Sequence, residues 1–308
     1  MRIFESDSGA MGATARGVEG AVQSWDGPKV DSQGTVARPP LHLRSVGPDH
    51  RTLGPNRRTS ARRTVRPHVP CSLHADNMRA RIYQPEIMDE ETVDQDTADE
   101  IYRYLAAVNR LFGGVRGTIA RFETFSRSWR PGERIEVLEV ACGAADVPRA
   151  LVAWGRARGF DLRVTATDIL PSALDYARRA GPPETRLRLV CANVEHLPIR
   201  DGAVDYVTCG LFFHHLTDAQ IVAALRSFDR LATRGIVVND LVRSRRAYLW
   251  TWLFTRPFHP ILHHDGPLSI RRALKPAEME DLAADAGLSW LSVRRHFGHR
   301  MTLAGQKH

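Results

Sequence analysis

The chain has 308 residues, 43% hydrophobic and 25% charged, with a formal charge of +8. Those proportions support a buried core and exclude wholesale disorder. No apolar run reaches the ~18 residues that a membrane-spanning helix needs, and no short apolar secretory core is evident near Met1. Cys71, Cys142, Cys191 and Cys209 form neither a CxxC pair nor a zinc spacing. A disulfide framework is therefore not expected, and a reducing cytoplasm is the expected compartment.

In chain order, residues 1–77 carry half of the net charge in a quarter of the length. Pro39-Pro40, Gly47-Pro48 and Gly54-Pro55 interrupt any periodicity there, so a disordered, Pro/Gly/Arg-rich extension is expected. Its arginines (Arg57, Arg58, Arg62, Arg63, Arg66) lack interleaved aromatics, which argues against specific nucleic-acid binding. Met78 stands where this composition ends and is a candidate translation start. From Thr92, Ile101, Tyr104, Leu105, Val108, Leu111 and Phe112 recur at helical spacing up to Gly113-Gly114. A second helix is expected over 115–129, completing a helical cap at 92–130.

The apolar run Ile135–Val140 reads as a strand opening into Ala141-Cys142-Gly143-Ala144-Ala145. Helices at 148–158 and 171–179 then alternate with strands at 163–167, 186–191 and 204–209. A helix at 218–232 and a strand at 235–239 follow. Alternation of this kind predicts an α/β fold: a Rossmann-like, doubly wound, mostly parallel sheet. A helix at 276–286 and a closing strand pair at 288–295 and 299–304 end the domain, expected to span 78–308. Tyr248 to Leu262 is aromatic-rich but interrupted by Arg256, Pro257 and Pro260, and reads as a lid.

In such a sheet, ligands sit outside the carboxyl ends of the strands. The small residues after the first strand let a ligand approach the backbone, next to the unpaired N–H groups of a helix start. Asp168 ends the second strand, about where an acid would hold a ribose hydroxyl pair; helix capping is its other reading. These residues resemble the class I S-adenosylmethionine-dependent methyltransferases. VLEVACGAAD is similar to their first motif, TATDILPSALDYAR to the ribose segment, and NVEHLPIRDGAVDYVTC to the stretch beyond. VNRLFGG, FFHHL, NDLVRS and HHDGPLSIRRAL are similar to a small-molecule subgroup near the ubiquinone/menaquinone methyltransferases, often found with polyketide biosynthesis enzymes.

The resemblance implies S-adenosyl-L-methionine as cofactor, held in the half at 131–209 by Glu139, Ala141, Gly143, Ala145, Asp168, Ile169, Asn193, Val194 and Cys209. Ala141 and Ala145 depart from the family's glycines, and Asn193 replaces its acid. The acceptor half, 210–308, is expected to take a small aromatic or polyketide-like molecule, methylated at oxygen. His214 or His215 is the candidate catalytic base, with His214 facing the cleft; Asp240, Trp250 and His264 are candidate substrate contacts. His263, His264 and Asp265 match no zinc pattern, so no metal is expected. Quinone C-methylation and a non-catalytic cofactor-binding role are the alternatives. A nicotinamide dehydrogenase would want G-x-G-x-x-G, which this loop lacks. The aromatic lid could also rest on a membrane surface.

Overall fold

The computed structural model describes residues 78–89 and 94–307. The expected disorder of residues 1–77, and Cys71 with it, lies outside the described residues. Strands β1 (Arg134–Val140), β2 (Asp161–Asp168), β3 (Leu187–Cys191), β4 (Val204–Gly210) and β5 (Ala232–Leu241) pair in parallel. The closing strands β6 (Ser292–His296) and β7 (Arg300–Gln306) run antiparallel, β7 lying between β5 and β6. The seven-stranded order is β3-β2-β1-β4-β5-β7-β6. This is the Rossmann-like sheet expected from the alternation.

The order matters for function. The chain moves outward from β1 to β3, then returns to place β4 against the other side of β1. Loops leaving β1 and β4 therefore diverge to opposite faces and leave a crevice at the carboxyl edge. β1 is buried at six consecutive positions, as a central parallel strand covered on both faces must be. One face packs under α5 (Asp218–Leu231) and α8 (Pro276–Asp285), through Leu225, Phe228, Met279 and Leu282. The other packs under α2 (Gly114–Phe125) and α3 (Asp146–Ala157), where Phe122, Phe125, Trp129 and Tyr206 cluster. Trp129 Nε1 donates to Tyr206 Oη at 3.0 Å, so this aromatic core leaves neither polar tip unpaired.

The expected helix at 115–129 stops at Phe125 and finishes as a 3-10 turn, Ser126–Ser128. The first closing strand starts four residues later than expected, because Leu288 and Leu291 turn into the core before pairing begins. The larger difference lies in 245–272. The expected lid is two regular helices, α6 (Arg245–Thr255) and α7 (Pro260–Arg272). Pro260 does not interrupt structure there but opens α7 at its first position, where no N–H is needed. α1 (Gln95–Leu111) and α4 (Pro171–Arg179) match their expected helices closely.

Candidate active site

The loop after β1 turns through left-handed backbone at three of its five residues: Ala141 (φ 54°), Gly143 (φ 48°) and Ala145 (φ 54°). Each alanine accepts about 1–2 kcal/mol of strain for this conformation. A Cβ added at Gly143 would meet nothing within 4 Å, so the loop backbone borders open space. Asp168 fixes the loop from β2: Oδ2 accepts from Gly143 N at 2.8 Å and Oδ1 from Leu170 N at 3.0 Å. Burial raises its carboxyl above the usual range, against the pull of those two N–H groups. Leu170 is the N-cap of α4 and no side chain caps that helix, so Asp168 braces the chain before the helix rather than capping it.

Glu139, on β1 beneath the loop, is fully enclosed and its Oε2 has no hydrogen-bond partner. Burial pushes its pKa up to about 8. Asp146, at the start of α3, also has a partnerless buried oxygen, and burial raises it to about 6. Asn193 caps a short 3-10 turn, accepting from Glu195 N at 3.0 Å, and Val194 packs against the core beside it. Ile169 is 58% exposed at the same edge. Cys209 is packed within the core at the end of β4, so only its backbone borders the crevice. Among the described residues the cysteines Cys142, Cys191 and Cys209 are free thiols.

Beyond β4, Leu211 adopts φ 54°, a costly conformation for a bulky residue. It throws the chain into the 3-10 turn Phe213–His215. His214 is buried, and its Nδ1 lies 2.7 Å from Asp240 Oδ1 while its backbone N donates to Asp240 Oδ2. Burial works to raise Asp240, but the His214 charge and hydrogen bond outweigh it and hold the carboxyl below its usual value. Both Asp240 oxygens engage His214, and Oδ1 also accepts from Leu241 N, so the residue expected from sequence as a substrate contact stands here as the partner of His214. His215 is only half-buried; its ring lies 4.2 Å from that of His214, and its charge favours ionised Asp168.

Residues 78–89, which carry no periodic signal, complete the site. Glu86 is buried with Oε1 3.9 Å from His214 Nε2, 2.8 Å from Ser269 Oγ and 3.4 Å from Arg272 Nη1. Arg81 clasps the histidine turn, donating to Phe213 O, Leu216 O, Arg272 O and Asp218 Oδ1. Arg272 donates to the carbonyls of His214 and His215. Asp265 accepts from the backbone of Ile87 and Met88 and from His264. His264, expected from sequence as a substrate contact, thus supports the carboxylate that docks the 78–89 segment. Trp250 is half exposed and stacked on Phe254. Arg81 and Glu86 lack any local sequence signal; Asp265, Ser269 and Arg272 all fall within HHDGPLSIRRAL.

Ligand atoms of Glu86, His214 and His215 lie within 4.8 Å of one another, a spacing compatible with a metal ion. The Arg272 guanidinium beside Glu86 puts a competing positive charge there. The sequence reading expects no metal.

Residues 137–235 match a family model described as a methyltransferase domain. The chain is similar in fold to human N-acetylserotonin methyltransferase, solved with S-adenosylmethionine: TM-score 0.52 and 15% identity, over 70% of this chain and 56% of the human one. This chain thus spans little more than half of that enzyme's length. A methyltransferase from Aquifex aeolicus is 17% identical over 70% of this chain and 99% of its own, with a TM-score of 0.45. A search of curated proteins finds no match. The family match and the sheet order together place a methyltransferase-domain signature at 137–235 on a Rossmann-like sheet.

The crevice has features that suit S-adenosyl-L-methionine, the ligand of the fold-related human enzyme. The partnerless Glu139 oxygen awaits a cation such as an α-ammonium group, and the open side of Gly143 admits a ligand against backbone.

Proposed function

We propose that the protein transfers the methyl group of S-adenosyl-L-methionine to a hydroxyl oxygen of a small aromatic or polyketide-like acceptor. The observation that carries this reading is the buried His214–Asp240 pair at 2.7 Å, one loop away from the cofactor-side carboxylates. The cofactor, when bound, supplies an electrophilic methyl group on a sulfonium. Asp168 accepts from ribose hydroxyls, Glu139 takes the α-ammonium, and Asn193 and Val194 meet the adenine. Ile169, Ala141 and Ala145 line the same edge.

On the acceptor side, ionised Asp240 accepts a hydrogen bond from Nδ1–H of His214, which leaves the Nε2 lone pair available. Nε2 then takes the proton of a phenol or enol as the oxygen attacks. Arg272 and Arg81 hold the turn by its carbonyls, so the imidazole is positioned by the backbone as well as by Asp240. The fold-related human enzyme is named for a small aromatic hydroxyl compound, which agrees with this acceptor class.

The test is the rate with phenols of graded acidity. His214→Ala is expected to lower kcat by about 10²–10⁴ with weakly acidic phenols, and by much less with phenols already ionised. Cofactor affinity should hold. Equal small losses across the series would remove the base role and leave alignment alone as the source of rate.

A further inference from the structure

Nine large apolar side chains are exposed among the described residues, and seven of them gather on one face. Four lie on two successive turns of α6: Leu249, Trp250, Leu253 and Phe254, from 44% to 57% exposed. α6 turns its small residues inward, with Ala247 and Thr255 buried and Thr251 and Thr255 close against Gly266 of α7. Its large residues are left outside.

Contacts join the face across three elements. Phe254 lies 6.2 Å from Phe112 at the end of α1, next to Leu111, which is 65% exposed. Phe258 packs on Tyr104 of α1 at 4.7 Å. The tip of the β6–β7 hairpin abuts the same corner: a Cβ on Gly113 would strike Phe297 O, and one on Gly298 would strike Phe112 O. Phe297 stands there 78% exposed.

The charge within the segments that build this face has one sign, with Glu100 one turn before Tyr104 the nearest acid on α1. Residues 101–122, 241–264 and 286–308, which build it, contain no Asp or Glu at all. Exposed Arg110, Arg246, Arg256 and Arg295 surround the apolar residues, and Arg256 covers the Trp252 ring at 3.8 Å. Arg246 on α6 and Arg295 on β6 are close enough together for both to disfavour a proton on His299. No helix of the described residues is long and apolar enough to cross a membrane. A short helix with Trp, Phe and Leu outward and arginines about it instead has the makeup of an element lying in the lipid headgroup region.

We infer that this face docks the protein on the surface of an anionic lipid bilayer, with α6 and the Phe297 hairpin tip entering the headgroup layer. The apolar residues supply insertion and the arginines supply attraction to acidic headgroups. This inference goes beyond the proposed reaction and does not depend on which acceptor is methylated.

The experiment is co-sedimentation of the full chain with vesicles of equal parts phosphatidylglycerol and phosphatidylcholine, against phosphatidylcholine alone. Binding is expected to be at least about tenfold tighter to the anionic vesicles and to weaken in high salt. The double variant Leu253→Glu, Phe297→Glu should lose that binding while retaining cofactor affinity and thermal midpoint. Arg246→Glu with Arg256→Glu should weaken it selectively on anionic vesicles.

Three results would overturn the inference. One is no binding to either vesicle. Another is unchanged binding by the apolar double variant, which would assign attraction to the basic front segment. The last is a wild-type dimer that this variant converts to monomer, which would assign the face to a second copy of the chain.

Discussion

The proposed contact of Glu139 with the cofactor makes binding depend on pH through one buried side chain. With its pKa pushed up to about 8 by burial, it carries a proton at neutrality that the unfolded chain has already lost. The unfolded state then binds fewer protons than the native state, so this group's contribution to stability falls as pH rises from the ordinary glutamate range toward 8 and is level above it. Pairing with the cofactor's α-ammonium reverses the preference and favours the ionised form. Cofactor binding at pH 7 is therefore expected to release close to one proton from Glu139. Calorimetry in buffers of differing ionisation enthalpy measures that number, and Glu139→Gln should abolish this release. Release unchanged in the variant would assign the proton to another group, Asp146 being the nearest candidate. Ala141 and Ala145 hold left-handed backbone that glycine adopts freely.

The elements that most affect the acceptor side are the segment 78–89 and the turn at 213–215. Arg81 joins them with one planar guanidinium that serves four carbonyls and a carboxylate. Lysine cannot reproduce that fork. Arg81→Ala leaves carbonyls without donors, at about 1–3 kcal/mol for each one that water cannot reach. The thermal midpoint is expected to fall by about 5–10 °C. The acceptor KM should rise with little change in cofactor affinity, because the adenosine side stands on β2 and β3. Arg81→Lys should recover only part of the loss. A change confined to cofactor affinity would place Arg81 outside the acceptor site.

At the scale of the whole molecule, the front of the domain is tied down among the described residues at Met78 and Arg79: Arg243 donates to Met78 O and Arg79 O and pairs with Glu278. A chain starting at Met78 is expected to keep the thermal midpoint and cofactor affinity of the full chain. Removing twelve further residues should lower the midpoint clearly, since it takes away Arg81, Glu86 and the backbone partners of Asp265. Thermal denaturation of the two truncated proteins beside the full chain decides between this boundary and one nearer residue 94. A midpoint already lowered in the Met78 chain would mean that the front segment contributes contacts of its own.

The sequence by itself determined the order of elements and the small-residue loop at the carboxyl edge of the sheet. Strand runs such as Ile135–Val140, the small-residue loop after them and Asp168 are local signals, legible because backbone period and turn chemistry are set by near neighbours. It also put His214 and Asp240 at the same sheet edge, but not in contact. That contact needs β5 beside β4 and a strained Leu211 between strand and turn, which no local pattern encodes. The helices α6 and α7 escaped the reading because aromatic residues surround α6 on nearly all sides, so no apolar stripe marks its inner face. Glu86 and Arg81 escaped it more completely. They act more than 125 residues away along the chain, on His214 and on the carbonyls of its turn, and only tertiary packing gives a residue without periodic surroundings a defined partner.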